Sequence, residues 1–185
     1  SFVGYEYSGA PGVSNLHRNV LFKNANVPAK PISYMDQPQP AALWKQLKEE
    51  CIEHPPCDVL AIPHNSNLSN GHLFTPENSG DLATDKSIAE LRSKMEPLVE
   101  IFQHKGDSEC RNGFDDVIAE TDPLCDFEKL RPEGDEQCGD ELGTGGMRLW
   151  GCSHRLDFVR NVLKEGLSEE ARIGFNPYQL GFIGS

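Results

Sequence analysis

The sequence predicts an α/β domain built on a mainly parallel sheet. Short apolar runs alternate with stretches whose apolar residues recur at helical spacing, and Gly/Pro-rich segments separate them. One run, Asp58-Val-Leu-Ala-Ile-Pro63, is apolar almost throughout, as a strand covered on both faces would be.

The elements follow in order. Residues 2–6 and 17–23 are expected strands, joined by the turn-forming stretch Ser8-Gly-Ala-Pro-Gly-Val-Ser-Asn15. Four prolines, at 28, 31, 38 and 40, hold residues 27–40 extended. Leu43, Trp44, Leu47 and Cys51 then fall on one face of a helix over 41–51. A strand at 58–63 follows, then polar loop over 65–84, a helix near 86–94 and a strand at 98–103. Residues 106–152 carry no sustained periodicity and are dense in Gly, Asp and Cys, so a long irregular insertion is expected there. A helix over 157–165 should stop at Gly166, and Ser168 should cap a short further helix before a last strand at 180–184.

The chain has 185 residues, with 17 basic and 29 acidic side chains and a net charge of −12. That balance disfavours a nucleic-acid module, because binding a phosphate backbone depends on Lys and Arg. No apolar run approaches the roughly 20 residues that cross a bilayer. The chain opens on Ser1 inside an apolar run and closes on Leu180-Gly-Phe-Ile-Gly-Ser185, so both ends are expected to be cut and the chain to be one partial domain. Periplasmic, secreted and cytoplasmic locations all stay open.

Six cysteines occur, none in C-x-x-C spacing, which argues against a zinc ribbon. Cys110, Cys125, Cys138 and Cys152 would suit two disulfides in an oxidising compartment, whereas a cytoplasmic protein would keep them as thiols.

Three polar residues sit at strand ends, where ligands gather in α/β folds. Glu6 ends the first strand, His17 opens the second and His64 ends the strand at 58–63. One carboxylate and two imidazoles meeting at one rim would suit Zn²⁺, Mn²⁺ or Fe²⁺; singly, each is an ordinary polar cap on a strand. Asn65, Asn67 and Asn70 are either turn formers or supports for such a site. In Glu100-Ile-Phe-Gln-His-Lys-Gly-Asp-Ser-Glu109, Lys105 offers a compact ammonium for an anionic substrate, or else belongs to a charged turn. Arg148 and His154 read as surface or packing residues.

The stretches Val3-Gly-Tyr-Glu-Tyr-Ser8, Asn15-Leu-His-Arg18, Asp58 to Asn65, Glu96-Pro-Leu-Val-Glu100, His104 to Glu109, Phe175-Asn-Pro177 and Phe182-Ile-Gly-Ser185 together resemble the PHP (polymerase and histidinol phosphatase) superfamily. Within that orbit they resemble most closely a bacterial domain-of-unknown-function family, DUF3604, over nearly the whole chain. The resemblance implies part of a distorted (β/α)₇ barrel with two or three divalent ions at its rim. It implies Glu6, His17 and His64 as metal ligands, Glu6 bridging two ions, with Lys105 or Arg18 contacting the substrate. The superfamily's D-x-H-x-H-T and D-x-H elements are absent, so this chain alone is expected to bind metal weakly and not to hydrolyse.

The function implied is metal-assisted hydrolysis of a small phosphate or phosphonate ester by activated water. Two alternatives stand beside it: a non-catalytic binding or structural module, and a metallohydrolase acting on amides or lactones, since a scaffold does not dictate its substrate.

Overall fold

The computed structural model describes residues 1–114, 121–131 and 136–184. Residues 115–120 and 132–135 of the expected insertion, and Ser185 at the end of the last motif, lie outside the described residues.

Strands β1 (Val3–Tyr7), β2 (Arg18–Phe22) and β3 (Val59–Pro63) form one three-stranded sheet in that order. Both pairings are antiparallel, with Tyr7 opposite Arg18 and Arg18 opposite Pro63. The second sheet has β4 (Leu98–Gln103) at its centre, antiparallel to the short β5 (Gly106–Asp107) and parallel to β6 (Gly181–Gly184). β3 and β4 lie close without sharing a ladder, so the sheets abut. The architecture is mixed α/β with two small sheets and three helices, and no closed barrel forms among the described residues.

The expectation of a mainly parallel sheet is therefore corrected: among the strands of the described residues, only β4 and β6 pair in parallel. The link from β1 to β2 is a ten-residue turn with no α-helix, too short for a parallel crossover, so the chain folds straight back. The apolar run of β3 is buried on both faces except at Leu60: Val59, Ala61, Ile62 and Pro63 are buried, while Leu60 is half-buried beside a hollow of about 430 Å³ that Phe2, Leu21 and Leu98 also line.

Helix α1 (Pro40–Leu47) starts on Pro40, whose fixed φ suits a first helical position. It buries Leu43, Trp44 and Leu47 and runs on into a π-helical turn, Lys48–Ile52. Cys51 lies in that turn, bonded to Cys57. Helix α2 (Leu82–Met95) begins upstream of the expected 86, because Asp81 accepts from the backbone N–H groups of Ala83 and Thr84 and caps it.

Helix α3 (Val159–Ile173) absorbs both the expected helix ending at Gly166 and the short one after it. Gly166 is interior. A Cβ there would lie 2.2 Å from the Asn176 Oδ1, so the glycine serves close packing. The helix stops instead at Gly174, whose φ of 70° suits glycine.

The expected insertion begins later than 106, since Gly106 and Asp107 pair with β4. Beyond it the described residues run through short 3₁₀ turns, tied by Cys110–Cys125 and Cys138–Cys152.

The core has two parts. One joins the first sheet to α1 through Tyr7, Val20, Phe22, Leu43, Trp44 and Leu47. The other joins the second sheet to α3 through Val99, Val159, Val162, Phe74 and Tyr178. A buried polar knot sits between them. Arg18 donates to Glu96, Trp44 Nε1 donates to the same oxygen at 2.9 Å, and Arg92 Nε lies 3.4 Å from the other. Arg92 also stacks on Trp44, Phe74 and Tyr178 at 5.3, 5.2 and 4.8 Å from their ring centres.

Candidate metal centre

The antiparallel ladder builds the site. β1 and β3 both run toward one rim, and β2 between them starts there, so the end of β1, the start of β2 and the residue after β3 share an edge. Ladder contact extends one step beyond Arg18 and Pro63, where the backbone N–H of His64 donates to the His17 carbonyl at 3.4 Å. Asn15 Nδ2 donates to the His64 carbonyl at 2.8 Å and holds the two segments together.

Glu6, His17 and His64 converge there. One ligand atom from each lies within 4.8 Å of the others. The two imidazoles stand edge to face, their centres 5.7 Å apart. Glu6 Oε1 sits 2.8 Å from His17 Nδ1 yet off the line of a hydrogen bond, so that nitrogen is left without a proper partner. His64 is 4% exposed and its Nε2 is buried with no hydrogen-bond partner among the described residues. An orphaned buried nitrogen costs about 1–3 kcal/mol, and a cation held by the three side chains would remove that cost.

The charges suit such a role. Burial lowers the His17 pKa against the pull of Glu6, and His64 and Lys105 lower it further, so the ring is held in the neutral, ligating form. Burial raises the Glu6 pKa, but the Ser8 hydroxyl, donating at 2.8 Å, and the charges of His17, His64 and Lys105 outweigh it. Glu6 is thus held as carboxylate. Two imidazoles and one carboxylate with open positions form a donor set used by catalytic zinc and non-haem iron sites.

Lys105 lies near enough for its charge to act on both Glu6 and His17. Arg18 is not brought into the cluster. Its guanidinium is buried, bonded to Glu96 and to the Leu16 carbonyl at 3.0 Å, so the anion contact expected of it has no basis in its position. Asn67 and Asn70 tie loops together, through the Lys105 carbonyl at 2.9 Å and the Ser14 hydroxyl at 2.9 Å. His154 caps a 3₁₀ turn, its Nδ1 accepting from the Leu156 N–H at 3.1 Å.

Sequence reasoning missed Asp157, which is fully buried. It accepts from Ser69 Oγ at 2.9 Å, Gly71 N at 2.7 Å and His154 N at 3.0 Å. The available signal was the capping-box spacing of His154 and Asp157 at the head of a helix. Cys110, Asp122 and Cys125 also cluster, but both sulfurs are committed to a disulfide.

Fold and site define a mixed α/β protein carrying a Glu/His/His cluster at the rim of an antiparallel sheet. The chain belongs to the family described as Protein of unknown function (DUF3604), whose model matches residues 1–185. No curated protein and no solved structure matches it. Among the described residues no helix is long and apolar enough to cross a membrane.

Proposed function

We propose that the protein is a metal-dependent hydrolase of small phosphate or phosphonate esters, with Glu6, His17 and His64 holding a divalent ion. The observation that carries this reading is the convergence of Glu6, His17 and His64, one ligand atom of each within 4.8 Å of the others, together with a buried His64 Nε2 that has no hydrogen-bond partner among the described residues.

In this reading His17 and His64 offer lone pairs, and ionised Glu6 supplies the negative charge that favours a cation over water in the gap. A bound Zn²⁺, Mn²⁺ or Fe²⁺ would lower the pKa of water and offset charge on a phosphoryl oxygen. Lys105 would orient the substrate anion; Arg18, committed to Glu96, takes no part. The resemblance to the PHP superfamily supports a place for these residues in a larger barrel-rim site with two or three ions. The D-x-H-x-H-T and D-x-H elements are not in this sequence, so the three residues would form one part of that site.

Zn²⁺ titration by calorimetry, together with metal content, tests the reading. Wild type should bind, and His64→Ala and His17→Ala should bind at least tenfold more weakly with unchanged circular dichroism. Unchanged binding in His64→Ala would overturn the assignment. Phosphate mono- and diesters, phosphonate esters, amides and lactones, assayed on the longest form of the protein, then decide the substrate class.

A further inference from the structure

We propose that Gln103 and Asn65 are positioning residues that fix the tautomer of His64, through a hydrogen-bonded relay starting at the Lys105 backbone. Its consequence for metal binding rests on the hydrolase reading above, whereas the tautomer itself does not.

Each link sets the next. The backbone N–H of Lys105 can only donate, and it does so to Gln103 Oε1 at 3.1 Å. That identifies the oxygen of the Gln103 amide, so the other end is its NH₂. Gln103 Nε2 donates to Asn65 Oδ1 at 2.5 Å and lies 3.3 Å from Glu100 Oε2. A donor facing that atom requires it to be the oxygen of Asn65. The same Oδ1 stands 3.2 Å from His64 Nδ1. An acceptor there requires the ring nitrogen to carry its hydrogen. A neutral imidazole has one N–H, so Nε2 is left with the bare lone pair. That is the buried atom with no hydrogen-bond partner among the described residues, on a residue of the Glu6/His17/His64 cluster.

Burial makes the relay selective. His64, Asn65 and Gln103 are 4%, 1% and 8% exposed, so water does not compete freely for these positions. Asn65 adopts the left-handed conformation, φ 52° and ψ 46°, which Asn tolerates better than most side chains. The relay also crosses between sheets, from the turn after β4 to the turn after β3. The abutment of the two sheets thereby sets which His64 nitrogen is free.

Three variants separate positioning from mere packing. Asn65→Gly keeps the left-handed backbone and removes the acceptor. Asn65→Asp keeps the acceptor. Gln103→Glu keeps the bond from Lys105 but presents an oxygen to Asn65, favouring a flipped amide that donates to His64. The first readout is the ¹⁵N shifts of the His64 ring in metal-free protein at a pH where it is neutral. Wild type and Asn65→Asp should show the Nδ1–H tautomer, while Asn65→Gly and Gln103→Glu should shift toward Nε2–H. The second is Zn²⁺ affinity, which should fall roughly 10–100-fold in Asn65→Gly and Gln103→Glu and be retained in Asn65→Asp. An Nε2–H tautomer in wild type would overturn the relay whatever the metal data show. Unchanged Zn²⁺ affinity in Asn65→Gly beside loss in His64→Ala would overturn its role at the site and leave the hydrolase reading standing. Equal Zn²⁺ affinity in wild type and His64→Ala would defeat the hydrolase reading, and the ring shifts would still decide the relay.

Discussion

The His64 N–H donates to the His17 carbonyl at 3.4 Å, one step past the last ladder pair of β2 and β3, and this places two imidazoles side by side at a sheet edge. Their proximity is a property of strand register. A cation bound to both, and to Glu6, would stabilise the native state by mass action, about 2.7 kcal/mol at a hundredfold excess over Kd. Thermal unfolding should therefore shift upward on adding Zn²⁺ in wild type and stay flat in a His17→Ala/His64→Ala double variant. An equal shift in both proteins would count against the site.

Glu96 lies between Arg18 and Arg92, the only carboxylate to pair with both among the described residues, and its side chain is 1% exposed. Glu96→Ala should cost about 3–5 kcal/mol, because both guanidiniums would then be buried without that compensation. Urea unfolding measures it. A loss under about 1 kcal/mol would mean that other acceptors or water replace the carboxylate.

Burial pushes the Asp157 pKa up to about 6, against three hydrogen bonds and the charge of Arg131 that pull it down. A folded pKa above the unfolded one favours folding where the acid is protonated. This contribution is complete below about pH 4 and is lost as pH rises through about 6. Its size is on the order of 3 kcal/mol. Unfolding free energy measured between pH 4 and 7 should show a descending component that Asp157→Asn removes. An identical pH profile in that variant would refute the assignment.

Cys110–Cys125 closes a loop of sequence separation 15 and Cys138–Cys152 one of 14. Loop-closure entropy predicts about 3 kcal/mol from each. Dithiothreitol should lower the melting temperature markedly, and thiol titration of the denatured, unreduced protein should find these four sulfurs unreactive. Free thiols at those positions would show that the pairing does not form.

Gly166→Ala sets helix propensity against packing. Alanine gains about 0.5–1 kcal/mol in a helix interior. Here its methyl would meet the Asn176 amide, which is held by the bond from the Tyr178 N–H at 2.8 Å and cannot simply swing away. A net loss of about 1–3 kcal/mol in chemical unfolding is expected, and a stabilised variant would show that Asn176 yields.

The sequence by itself determined where five of the six described strands and two of the helices lie, because apolar periodicity is a local property that survives in any tertiary setting; the two-residue β5 carries no such periodicity. The sequence also marked Glu6, His17 and His64 as residues at strand ends. Strand direction was not a local property. The pairing of β2 with β3 depends on which edges meet across the long 23–58 connection, and apolar content alone could not separate a doubly covered strand from one beside a hollow. Gly166 read as a helix stop because sequence shows that glycine lacks a side chain, but not that Asn176 fills the space. The resemblance implied Arg18 as an anion contact; the alternation of a strand turns it away from its neighbour His17, and burial against Glu96 takes it into the core. The free nitrogen of His64 belongs wholly to tertiary structure, since it depends on Gln103, far along the chain, arriving beside Asn65.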